Sequence, residues 1–114
     1  MIAHQITLIA ARLANVPVED VLSKKRHDHI CYVRYIAMKM CVKYTELTYS
    51  NIGFFMNRTD SSVVHALNTH EDLYETDKKF RELSDKVDAT VKKYIDRLIK
   101  NGKMNYYLPK IEVI

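Results

Sequence analysis

Turn-forming residues are scarce in this chain: 114 residues contain two glycines, Gly53 and Gly102, and two prolines, Pro17 and Pro109. Hairpins, sandwiches and barrels consume glycine, proline and asparagine at short regular intervals, because their turns need positive φ or a preset bend. So few breakers point to an all-α chain, and its length fits one small domain. The same scarcity excludes the phosphate-cradling loops. Both G-x-x-x-x-G-K-[ST] and G-x-G-x-x-G need glycines a few residues apart, and these two stand in separate segments.

Apolar spacing places about five to six helices. Ile2, Ile6, Ile9, Ala10 and Leu13 fall on one helical face, which Asn15-Val16-Pro17 ends. Pro17 then suits the first turn of a short second helix, with Glu19 and Asp20 at its positive end. Ser23-Lys24-Lys25-Arg26-His27 forms a basic connection. From Asp28, placed as a cap, to Tyr44 the residues Ile30, Val33, Ile36, Ala37, Met40, Cys41 and Tyr44 keep a three-and-four spacing, which predicts a long central helix. Thr48 caps a segment to Met56 with Ile52 and Phe55 turned inward. Asn57-Arg58-Thr59-Asp60 reads as a tight turn, and a helix starts near Ser61 and runs to about Tyr74. Two helices around so short a turn form a helix-turn-helix, and Gly53 reads there as a position where another helix approaches closely. Asp77 caps a last helix through Phe80, Leu83, Val87, Val91, Tyr94, Ile95 and Leu98, ended by Gly102. The domain is thus residues 1–102. An apolar tail, 103–114, follows as an extended segment or a docking arm that mediates self-association.

The net charge of +4 is unevenly distributed. Seven bases against two acids lie between Val21 and Thr59, and no acid occurs from His29 to Thr45, whereas Glu71, Asp72, Glu75 and Asp77 cluster without a base. A basic side of this kind is the electrostatic footprint of a polyanion partner. Cys31 and Cys41 lie ten residues apart on one predicted helix, roughly 15 Å along its axis, too far to bridge. No apolar run approaches the ~18 residues of a membrane span, so the expectation is a reduced, cytoplasmic, nucleoid-associated protein with no membrane partner.

Val18-Glu19-Asp20-Val21-Leu22-Ser23-Lys24-Lys25-Arg26, Arg34-Tyr35-Ile36-Ala37-Met38, Ser50-Asn51-Ile52-Gly53, Arg58 and Ser62-Val63-Val64-His65-Ala66 together resemble the C-terminal DNA-binding domain of the bacterial replication initiator DnaA, over roughly residues 2 to 98. The resemblance implies an all-helical, Trp-repressor-like helix-turn-helix that binds short double-stranded boxes at replication origins. It implies roles for single positions: Arg26 in the minor groove, Arg34 on the DNA backbone from the exposed face of the long helix, Arg58 in the turn, and Ser61, Ser62 and His65 on the recognition helix. Small hydroxyls at a helix N-terminus can approach phosphates and base edges, and arginine suits a narrow minor groove. The chain departs from the family's Gly-Gly turn and Arg-Asp-His-Thr-Thr run. It has Asn57-Arg58-Thr59-Asp60-Ser61-Ser62, one residue shorter before the arginine, with Asp60 in place of the histidine and Tyr35 in place of a glutamine. An aspartate can accept from cytosine N4 or cap the helix, so the box read differs from the standard one. The chain begins where the family's ATPase domain would hand over, which reads as a stand-alone module.

Other signals carry less. His27, His29 and Cys31 alternate, a spacing that converges on a strand and diverges at a helix start, so no metal site is expected. Ser61 or Ser62 with His65 lacks an orienting carboxylate and an oxyanion hole, so no catalysis and no cofactor are expected. Tyr44 reads as core, Tyr35 as a DNA contact, and Lys92, Lys93 and Lys100 as a solvated face. The expected function is sequence-specific binding of double-stranded DNA in replication initiation or its regulation. The Ser61 helix lies in the major groove, Lys24, Lys25, Arg34 and Lys43 are on phosphates, and Thr59 and Asp60 stand at the turn. The alternative, motivated by Asp60, the acidic cluster and the apolar tail, is a protein-interaction module for an initiator, a helicase, another replication protein or itself.

Overall fold

In the computed structural model, which describes residues 2–102, the chain forms six helices: α1 (Ile2–Ala14), α2 (Val18–Leu22), α3 (Asp28–Tyr44), α4 (Tyr49–Phe55), α5 (Asp60–Thr76) and α6 (Lys78–Lys100). No strand occurs among the described residues. The tail at 103–114 lies outside them.

Most helix starts, and the ends of α1 and α6, have an identifiable cause. Asn15, at φ 64°, takes the left-handed conformation after α1. Its N–H donates to the Arg12 carbonyl and that of Val16 to Ala11, a Schellman stop with asparagine in the glycine role. Pro17 lies just outside α2 as its N-cap, one position earlier than expected. The N-cap of α3 is His27, with Asp28 the first helical residue, where its carboxylate faces the helix's positive end. Thr48 and Asn51 form a reciprocal capping box on α4. The Thr59 hydroxyl accepts from the Ser62 N–H at 3.2 Å and the Asp77 carboxylate from the Phe80 N–H at 3.0 Å. Gly102 ends α6 at φ 69°.

The long helix α3 is central and packs against the other five. Its Val33, Ile36, Ala37, Met40 and Cys41 are buried together with Ile6 and Ala10 of α1, Ile52 of α4, Val63 and Ala66 of α5, and Val87 and Val91 of α6. Each such valine or isoleucine contributes about 1.5–3 kcal/mol of burial. Burial also pushes the Cys41 thiol up to about 12. Tyr44 is core, as expected, and its hydroxyl donates to Asp88 of α6. Burial first, and then that carboxylate, push the Tyr44 phenol upward. His70 ties α5 to α6. Its Nε2 lies 2.8 Å from the Ser84 hydroxyl, and its ring is stacked on Tyr74 and edge-on to Phe80. Burial, and then the nearby Lys39 charge, push it down to about 4, so it is neutral near pH 7.

Candidate nucleic-acid interface

Helices α4 and α5 are joined by Met56–Thr59, and the turn fits only because residue 53 is a glycine. An added Cβ would lie 2.8 Å from the carbonyl oxygens of Arg58 and Thr59. The close approach expected at Gly53 exists, but what approaches is the backbone of the turn itself. The Gly53 carbonyl also accepts from the Arg58 N–H at 2.7 Å, and Asn57 takes φ 59° between them. The start of α5 is thereby held rigidly to α4.

The basic connection between α2 and α3 is shaped by Arg34. This side chain is 4% exposed. Its Nε donates to the Val21 carbonyl at 2.8 Å, and its Nη2 points to the carbonyls of Ser23, Asp20 and Lys25 at 3.1–3.2 Å. Asp20 and Val21 belong to the last turn of α2, where the Ser23 N–H and hydroxyl already donate to the Asp20 carbonyl; the guanidinium adds a donor for Val21 and a counter-charge to the helix end. The expected exposed position is corrected: Arg34 is buried, donates to four backbone carbonyls and holds the loop, and it stands in the wall of a cleft between the loop and α5.

Two crossed contacts then join that loop to the helix-turn-helix. Lys24 Nζ donates to the Asn57 carbonyl at 2.8 Å, and Arg58 Nη2 donates to the Ser23 carbonyl at 2.8 Å while its Nη1 donates to Met56. Burial, and then the neighbouring Arg34 charge, lower the Arg58 pKa. Near neutral pH arginine nonetheless remains charged, so the junction holds several cations close together. Its ammonium and guanidinium groups still have donors free for a ligand.

The result is a cleft of about 530 Å³ between the loop and α5, lined among others by Lys24, Arg26, Arg58, Tyr35, Ser62 and His65. Arg26 is exposed, and among the described residues no carboxylate pairs with it. Lys25 is exposed and pairs with Asp20 at 2.9 Å. Tyr35 meets His65 edge-on, with ring centroids 6.3 Å apart, and burial is the first cause that raises its phenol. Ser61 and Asp60 are exposed at the start of α5, where the Asp60 carboxylate accepts from the Ser61 N–H at 2.9 Å. Asp60 is therefore already engaged with its own helix end. Lys43 is not brought to this cleft. It faces α6 and pairs with Asp88 at 2.5 Å, a second correction, since its acid partner is distant in sequence. His29 donates to the last carbonyl of α1, at 3.0 Å from Ala14. Phe54, which sequence reasoning passed over, is 86% exposed beside the turn. The i, i+3 pair Ile52 and Phe55 defines the inward face of α4, and Phe54 lies off it.

The helix-turn-helix family of bacterial DnaA proteins matches residues 3–69. The chain is similar to the chromosomal replication initiator protein DnaA of Aquifex aeolicus, at 35% identity over 80 residues, which is 69% of this chain and 20% of that protein. It is similar to that of Flavobacterium psychrophilum at 34% over 71 residues, 61% of this chain and 15% of the relative. With that of Lachnoclostridium phytofermentans the identity is 36% over 75 residues, 65% of this chain and 16% of the relative. The chain thus spans a fifth or less of the length of these relatives.

Proposed function

The chain belongs to the bacterial DnaA helix-turn-helix family, and from that premise we propose that it is a non-catalytic module that binds double-stranded DNA in replication initiation or its regulation. The observation that supports this most is the crossed pinning of the basic loop to the helix-turn-helix turn, Lys24 to Asn57 and Arg58 to Ser23. It sets loop cations and the first turn of α5 side by side on one surface. The first turn of α5 enters the major groove and presents Ser61, Ser62 and His65, with Thr59 and Asp60 fixing the helix start. Arg26, at the outer end of the loop, reaches the adjacent minor groove, where a narrow groove concentrates negative potential. Tyr35 stands behind His65 and holds its ring.

Lys24, Lys25, Arg26 and Arg58 are the cations this surface offers to phosphates. Four phosphate contacts give a slope of log affinity on log salt of about −3.6. A fourfold rise in salt should then weaken binding roughly 100-fold. Arg26→Ala should weaken binding by about 1–3 kcal/mol without changing the fold, because its side chain is exposed. A fluorescence titration of a labelled duplex with the full chain checks both. Affinity indifferent to salt, or Arg26→Ala binding like wild type, would remove the assignment.

A further inference from the structure

Phe54 is the most exposed of the large apolar side chains among the described residues, at 86%. Its neighbour Phe55 packs on the core and edge-on against His4, so α4 has no need of a second phenyl ring for folding. The Phe54 ring borders an open concavity of about 630 Å³ with Lys24, Asn57, Arg58, Thr59 and Ser62. Lys24, Arg58 and Ser62 also line the main cleft, which makes the ring part of the same surface and places it beside the start of α5. Every other group around it is a cation or a hydrogen-bonding side chain. Such a rim selects a polyanion, and an apolar ring within it needs an apolar group on that polyanion. In the major groove of duplex DNA the base-specific apolar group is the C5-methyl of thymine, for which phenylalanine is a suitable contact. The first helix of a helix-turn-helix crosses the DNA backbone while the second enters the groove. Phe54 lies in the last turn of that first helix, next to the turn, and so at the groove's edge.

Resting on the duplex-binding reading above, we propose that Phe54 is a specificity-determining residue that packs its ring on a thymine C5-methyl group at one edge of the bound site. The preference reads a methyl and needs no hydrogen bond. It adds discrimination where Asp60 is occupied by its own helix. The test uses the full chain and a duplex enriched from a random library, with each thymine replaced in turn by deoxyuridine, which removes only the methyl. At one position wild type should bind the uracil duplex about fourfold more weakly, the value of one buried methyl-sized group. Phe54→Ala should bind the thymine duplex more weakly than wild type and treat thymine and uracil alike there, while Arg26→Ala keeps the wild-type ratio. The ring is exposed, so Phe54→Ala should keep the wild-type circular dichroism spectrum and melting temperature. Wild type that binds the duplex yet shows no thymine preference at any position overturns the proposal. So does Phe54→Ala that retains the wild-type ratio, or that loses affinity equally for both duplexes at every position, which would place the ring on deoxyribose. Failure of wild type to bind any duplex would instead overturn the parent reading, and this one with it.

Discussion

Arg34→Ala is expected to lower the unfolding free energy by about 3 kcal/mol, the loss of several hydrogen bonds from a buried charged donor. The guanidinium is the common partner of the carbonyls of Val21, Ser23, Asp20 and Lys25. Its removal leaves the Val21 and Lys25 carbonyls without this donor and the basic loop without its central support, while Ser23 still caps Asp20. Arg34→Lys should recover only part of the loss, because an ammonium has three donors and no planar fork. A urea unfolding curve reads this as a lower midpoint at nearly unchanged slope. Duplex affinity should fall as well, at temperatures where the variant is still folded, since Lys24 and Arg26 lose their fixed positions. A midpoint equal to wild type would show that the loop holds itself without Arg34.

Gly53→Ala should be the second large effect, with a cost of about 2 kcal/mol from overpacking. The added methyl meets two carbonyl oxygens at 2.8 Å, and these are backbone atoms that cannot rotate away. The cost of the substitution in helix propensity is favourable, about 1 kcal/mol toward alanine, so net destabilisation measured by thermal unfolding would come from the clash alone. Relief of the clash requires the Arg58–Thr59 peptide to move, which shifts both the Arg58 contact to Ser23 and the Thr59 cap of α5. The variant should therefore lose duplex affinity out of proportion to its stability. An alanine variant as stable as wild type, and binding equally well, would show that the turn adjusts freely.

Periodicity and capping chemistry made most of the fold legible. The apolar spacing of α1, α3 and α6, Thr48 and Asp77 as caps, and the glycine at the end of α6 all follow from local rules that act within a few residues. Asp28 and Pro17 were displaced by one position, because a side chain that suits a first turn suits equally its neighbour. The candidate surface was legible only where it lies on local sequence, in the basic loop and the first turn of α5. Arg34 and Lys43 look alike on a helical face, yet one is buried among backbone carbonyls and the other pairs with Asp88 across to α6. Backbone acceptors have no sequence signature, and a partner 45 residues away has no local one. Phe54 is different: its place off the Ile52 and Phe55 face was legible from helical spacing, whereas its neighbours across the turn were not.

On the proposed reading, the pinned loop and the start of α5 form one surface that reads duplex DNA. Selection of bound sites from a random duplex library by the full chain tests it most directly. One enriched site is expected, with the preference at its minor-groove flank lost in Arg26→Ala and at its major-groove positions altered in Ser61→Ala and Ser62→Ala. Recovery of no enriched site at low salt would contradict it.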